Sequence, residues 1–194
     1  MFKFLFIIFM CFNCYFSQVL FSKFINQNQI FLDNPIKSIQ FDYTTQNIDG
    51  LSEQGSGRIL IGQNKYKLNL QNHIFLFTGS ALKRYNKITN QIFIENNNPQ
   101  TDSLILNFFN IKNLDMIEVD SNGMVTIPPP NFQINDLIIE LDFLSDSSAI
   151  KKINIQSNQY LISLFNLNFS NQELGLNNSF SFNFPNAFIF DLRD

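Results

Sequence analysis

Chemistry in this chain would have to come from a few places: one histidine (His73), a Cys11-Phe12-Asn13-Cys14 spacing, a Gly55-Ser56-Gly57 triplet and the pair Glu140 and Asp142. Each points to a reaction and then falls short of it. A Ser-His-Asp system would need His73 together with a G-x-S-x-G elbow, and Gly55-Ser56-Gly57 lacks that frame and reads as a hairpin turn. C-x-x-C is the spacing of a redox pair or half a zinc site, but Cys11 and Cys14 lie in an apolar N-terminal run with no further cysteine downstream. Transition-metal binding would want two or more His or Cys ligands, and the chain beyond that run offers one. Glu140 and Asp142 flank Leu141 and so project to one face of a strand, where paired carboxylates could hydrolyse glycosides. They occupy the polar phase of an alternating segment, which predicts a solvated outer face. No glycine-rich loop has phosphate-cradling spacing. The expectation is a protein that is not an enzyme and carries no cofactor or metal.

Composition narrows the partners. The 194 residues hold 13 Lys+Arg against 16 Asp+Glu, a net charge of −3, and no basic cluster that could track a phosphate backbone. Nucleic acid is therefore not expected. Apolar residues make up 45% of the chain, enough to build a core at this length. Phenylalanine is over-supplied, at 24 residues with no tryptophan.

The elements that position these residues begin with an address. Lys3 followed by the apolar run Phe4–Phe12 reads as a secretory signal over residues 1–17, too short to span a bilayer comfortably. Ser17 suits the last signal position and Tyr15 does not suit the third from last, so an uncleaved anchor is an alternative. Lipidation at Cys14 is another, with Asn13 where such a site wants Gly or Ala. Cleavage after Ser17 would leave residues 18–194 as one domain with 18 Phe and no cysteine, hence no disulfide.

Phe21, Phe24, Ile25, Phe31 and Leu32 recur at helical spacing and predict an amphipathic helix over Val19–Leu32, ended by Pro35. The period then changes to two, at Ile39, Phe41 and Tyr43 and again at Tyr66, Leu68 and Leu70. Turn signals at Asp49-Gly50, Gly55-Ser56-Gly57, Thr78-Gly79-Ser80 and Asn122-Gly123 punctuate these runs. The pattern predicts a mainly β domain with an antiparallel sheet, sandwich or barrel, apolar on one face. Asp102 is placed to cap a short helix carrying Leu104, Ile105, Phe108 and Phe109. Pro128-Pro129-Pro130 interrupts the sheet, and Gln159–Phe169 and Phe180–Phe184 read as the last strands.

The order of these pieces carries a resemblance. A helix runs into Ser38-Ile39-Gln40-Phe41-Asp42-Tyr43, then come the pair Gly57–Leu70, Thr78-Gly79-Ser80-Ala81-Leu82-Lys83-Arg84-Tyr85 and a short apolar helix. Phe180-Ser181-Phe182-Asn183-Phe184-Pro185 and Phe188-Ile189-Phe190-Asp191-Leu192-Arg193 close the chain. Over nearly the whole exported part, the chain resembles the periplasmic outer-membrane lipoprotein carrier family, LolA-type.

The resemblance implies an incomplete antiparallel β-barrel of about eleven strands, closed by an N-terminal helix and a short lid helix. It implies a periplasmic monomer that takes up the acyl chains of lipoproteins from an inner-membrane release transporter and passes them to an outer-membrane acceptor. Combined with strand phase, it assigns the lipid-lining role to Phe41, Tyr43, Tyr66, Leu68, Leu70, Ile92, Ile94, Leu137, Ile139 and Leu141, with Leu104, Ile105 and Phe108 in the lid. The basic residue that latches the lid in some members falls near Gln63, so that latch does not carry over. The alternatives are a membrane-tethered lipid or lipoprotein acceptor and an exported structural or adhesive β-domain whose apolar face is only core.

Overall fold

The computed structural model describes residues 23–47, 49–98, 102, 105–106, 118–119, 125–126, 138–144, 149–171 and 179–193. The signal segment with Cys11 and Cys14, the Pro128–Pro130 run, Leu104, Phe108 and Leu137 lie outside them. Among the described residues, no helix is long and apolar enough to cross a membrane.

Helical residues 23–27 lead into α1 (Gln29–Asp33), with the break at Asn28, whose side-chain amide donates to the Phe24 carbonyl at 2.9 Å. Asn34 ends the helix in extended backbone, as the residue before Pro35 must. Twelve strands follow: β1 (Lys37–Asn47), β2 (Ser52–Gly62), β3 (Lys65–Asn69), β4 (His73–Phe77), β5 (Ala81–Asn86), β6 (Gln91–Asn96), β7 (Glu118–Val119), β8 (Val125–Thr126), β9 (Ile138–Phe143), β10 (Ile150–Gln156), β11 (Tyr160–Asn171) and β12 (Phe188–Asp191).

All twelve belong to one sheet in the order β12-β6-β5-β4-β3-β2-β1-β11-β10-β9-β8-β7. Every pairing is antiparallel except β12 on β6. Among the described residues the sheet is open between β7 and β12, an incomplete barrel with one strand more than the about eleven that the resemblance implies. Short hairpins explain the antiparallel run, and Asn64 and Asn90 take positive φ of 53° and 52° in two of them.

Two expectations need correction. Gly55-Ser56-Gly57 is not a turn but lies inside β2, opposite Tyr43, Asp42 and Phe41. A Cβ at Gly57 would stand 2.7 Å from the Phe41 ring and 2.9 Å from Leu70 Cδ2, so the glycine makes room for a ring lying across the strand. Phe180–Phe184 is not a strand either. It forms a strap outside the ladder, and the last strand is β12.

Candidate functional site

Register fixes which side chains share a face. Ile39 pairs with Ile59, Ile59 with Leu68, Leu68 with Phe75, Phe75 with Arg84, Arg84 with Phe93 and Phe93 with Phe190. A second row joins Ile61, Tyr66, Phe77 and Leu82. On the other side of β1, Ile39 meets Phe169 and Tyr43 meets Leu164. The register shifts between Gln40 and Asp42, opposite Asn166, which takes a positive φ of 53°. That bulge returns Leu167 and Phe169 to the same face as Leu164. Ile153 and Leu141 extend the row across β10 and β9.

This inner face is apolar from β9 to β4 and is where the helical residues pack. Phe31 and Leu32 sit in a cluster with Ile39, Phe41, Tyr43, Ile61, Tyr66 and Phe77. Phe24 sits in another with Ile139, Leu141, Ile150 and Ile153. Phe24 and Phe31 both meet the Phe169 ring edge-on, at 5.6 and 5.2 Å between centroids. The helix therefore covers the Ile39 and Phe169 end of the face.

Beyond Tyr43 the inner face continues to a rim that no described helix covers. There Thr45, Asn47, Leu51, Glu53, Tyr160 and Ile162 line a groove of about 370 Å³. Leu51 and Tyr160 are exposed. The Tyr43 hydroxyl donates to Glu53 Oε1 at 3.2 Å, a polar gate between the packed core and this groove. Burial, and secondarily the Glu53 carboxylate, holds the Tyr43 hydroxyl above its ordinary value.

The short helical residues Asp102, Ile105 and Leu106 are pinned to the same face. Tyr66 donates its hydroxyl to Asp102 Oδ1 at 2.7 Å, and Asp102 Oδ2 accepts the Asn98 N–H at 2.9 Å. Both side chains are about 2% exposed. Asp102 is thus not an N-cap but a buried tie between this segment and β3. Burial first, then Asp102, pushes the Tyr66 hydroxyl far up.

Of the sequence-assigned lining, Phe41, Tyr43, Tyr66, Leu68, Leu70, Ile105, Ile139 and Leu141 come together on the inner face. Ile92 and Ile94 do not. Ile92 pairs with Tyr85, Tyr85 with Ile74, and Ile74 with Asn69, which puts them on the outer face. That face is apolar locally because the strap crosses it. Phe184 stacks on Tyr85 at 3.8 Å, Lys65 Nζ lies 4.5 Å over Phe180, and Lys67 donates to the Ser181 carbonyl at 2.6 Å. Burial lowers the Lys67 ammonium below its ordinary value.

The rest of the outer face is polar. Gln40, Asp42, Ser56, Arg58, Asn69 and Asn166 are among the residues lining a cleft of about 560 Å³. Asn166 and Ser56 both donate to Asp42, holding its carboxyl below its ordinary value. Glu140 accepts from Asn154 at 3.3 Å and Asp142 pairs with Lys151 at 3.4 Å, so that carboxylate pair is part of a solvated ladder. His73 opens β4 opposite Asn86, its ring 6.0 Å from Phe75.

Sequence phase missed the rim set and the contact between Asp102 and Tyr66. Tyr160, Leu161, Ile162, Ser163, Leu164 and Phe165 do not alternate, which hid their facing.

No family model matches the chain, and no curated protein matches it. Among solved structures it is similar to an uncharacterized conserved protein from Thermus thermophilus, at 12% identity over 88% of this chain and 98% of that one, TM-score 0.47. It is similar to a LolA superfamily protein from Nitrosomonas europaea, at 8% identity over 85% of this chain and 97% of that one, TM-score 0.46. MucB, in complex with MucA(peri), matches at 7% identity over 83% of this chain and 57% of that one, TM-score 0.30. These are likenesses of outline, at identities that bring no site or activity across.

Proposed function

We propose that this chain is a periplasmic carrier that shelters the acyl chains of lipoproteins on its inner sheet face and moves them from the inner to the outer membrane. One observation carries the reading. An apolar face continues past its helical cover into an open groove at Thr45, Leu51, Tyr160 and Ile162. An acyl chain entering there along Leu51, Tyr160 and Ile162 passes the Tyr43–Glu53 hydrogen bond before it meets the apolar row, and each CH₂ it buries is worth about 0.8 kcal/mol. Further uptake displaces Phe24 and Phe31 from that face, so bound lipid and helix compete for one surface. The closing Phe-x-Phe and Asp-Leu-Arg residues of the chain, which resemble the lipoprotein carriers, support the same reading. Partners in this role are acylated lipoproteins, an inner-membrane release transporter and an outer-membrane acceptor. The role needs no reaction step and no cofactor.

The test is titration of the purified protein with a triacylated lipopeptide, using the unacylated peptide as control. Saturable binding of one lipopeptide per chain, absent for the control, is the expected result. No acyl-dependent binding by the folded protein overturns the reading and leaves an exported β-domain whose apolar face is only core.

A further inference from the structure

Four large apolar side chains stand exposed within five residues at the end of the sheet: Phe188 at 69%, Ile189 at 64%, Phe190 at 42% and Leu192 at 56%. They belong to β12 and the residue after it, and β12 is an edge, with β6 on one side and no described strand on the other. Backbone parity says what that edge offers. Phe188 N–H donates to the Asn90 carbonyl at 3.0 Å and Leu192 N–H to the Ile94 carbonyl at 2.8 Å. In a parallel pair such residues turn their backbone groups to the neighbour, and the residue between turns its own away. The N–H and C=O of Ile189 therefore point off the sheet.

Exposed apolar side chains on both faces of a strand could suit a lipid surface, but the outward backbone groups do not. Hydrocarbon leaves them unpaired, which is costly, whereas another strand satisfies them. The edge is short, and along it Phe188–Asp191 carries no Lys, no Pro and no bulge, its one charge at Asp191 being paired with Arg193. The segment Phe188-Ile189-Phe190 also reads the same in both directions, so it is complementary to itself when reversed.

We propose that β12 is a self-docking edge, through which two copies of this chain pair antiparallel about a two-fold axis at Ile189. Phe188 then faces Phe190 of the partner subunit, and Ile189 faces Ile189 of the partner subunit, closing two reciprocal backbone hydrogen bonds. Asp191 falls opposite Ala187 of the partner subunit, so no like charges meet. Its carboxylate is already held by Arg193 at 2.6 Å. Phe93 stacks on Phe190 at 5.3 Å, so the inner-face aromatic row runs on into the second sheet. This goes beyond the carrier reading, in place of the monomer that the family resemblance implies, and stands or falls separately from acyl binding.

Sedimentation equilibrium of the full chain over micromolar to millimolar concentrations tests it. The wild type should show a monomer–dimer equilibrium. Ile189→Lys, which places two ammonium groups on the axis, should weaken association on the order of tenfold or more. Its circular dichroism and thermal midpoint should stay unchanged, because Ile189 is exposed. In a Cys11→Ser, Cys14→Ser background, Ile189→Cys should oxidise to a disulfide-linked dimer, since directly opposed residues lie within bridging range. A wild type that is monomeric throughout overturns the proposal, as does a dimer indifferent to Ile189→Lys. Vesicle binding by a chain that never dimerises overturns it in favour of a membrane contact.

Discussion

Tyr66 and Asp102 stand 36 residues apart in sequence and meet in a buried hydrogen bond of 2.7 Å. The bond joins β3 to the helical residues 102, 105 and 106, whose Ile105 and Leu106 pack on the inner face. Among the described residues it is the side-chain hydrogen bond that ties that segment to the sheet, beside the apolar packing of Ile105 and Leu106.

Tyr66→Phe should lower stability by about 1–3 kcal/mol, because Asp102 keeps the Asn98 N–H and loses its second donor while buried. Chemical denaturation reads this directly. The pair Tyr66→Phe and Asp102→Asn, alone and together, should couple, since both act on one bond.

The same bond predicts an alkaline limb. The folded Tyr66 hydroxyl titrates above its unfolded value of about 10. The folded state therefore holds the proton longer, and the stabilisation is complete below that value and is lost as pH rises beyond it. Tyr43 is shifted the same way and adds to the effect. Stability measured from pH 8 to 11 should fall more steeply in the wild type than in Tyr66→Phe.

Gly57→Ala should destabilise by about 1–3 kcal/mol through overpacking against the buried Phe41 ring. Gly55→Ala should be milder, because its nearest neighbours at 3.0 Å are the ends of Gln71 and Tyr43. Phe41→Leu should rescue part of the Gly57→Ala loss, which denaturation midpoints would show. If the glycines served a turn instead, Phe41→Leu would rescue nothing.

At the far end of the chain, Arg193 holds the exposed Asp191 carboxyl down at about 2. Any stability this gives is present above the ordinary carboxylate value and lost as pH falls through about 2. The partners are only two residues apart and both exposed, so the global effect should be negligible. Carbon-detected titration should place Asp191 low in the wild type and return it to the ordinary range in Arg193→Gln, with unchanged denaturation.

Where one face of the sheet is wet, the sequence was readable. Ile39, Phe41 and Tyr43, and Tyr66 and Leu68, alternate with polar residues and lie on the inner face as their phase requires. Parity failed at Ile92, Phe93 and Ile94 because both faces are covered there. Phe93 lies against Phe190, and the strap crosses the side that carries Ile92. Apolar residues in a row then carry no facing. The alternation of Phe180, Phe182 and Phe184 imitates a strand, yet Phe184 packs on Tyr85 while the backbone stays out of the ladder. Asp102 left no local trace of Tyr66 because the contact exists only after the sheet is assembled.

The rim groove gives the sharpest test of the acyl reading. Tyr160 is exposed at 41%, so Tyr160→Arg should leave stability within about 0.5 kcal/mol. It places a guanidinium where an acyl chain would enter, beside Leu51 and Ile162. Binding of a triacylated lipopeptide should weaken by about tenfold or more, equivalent to losing two buried CH₂ groups. Ile88→Arg is the matched control. Ile88 is exposed at 74% in the turn between β5 and β6, away from the groove, and should change nothing. Equal loss in both variants would place the effect in added charge. No loss in Tyr160→Arg would move acyl entry away from the rim, toward the part of the face that Phe24 and Phe31 cover.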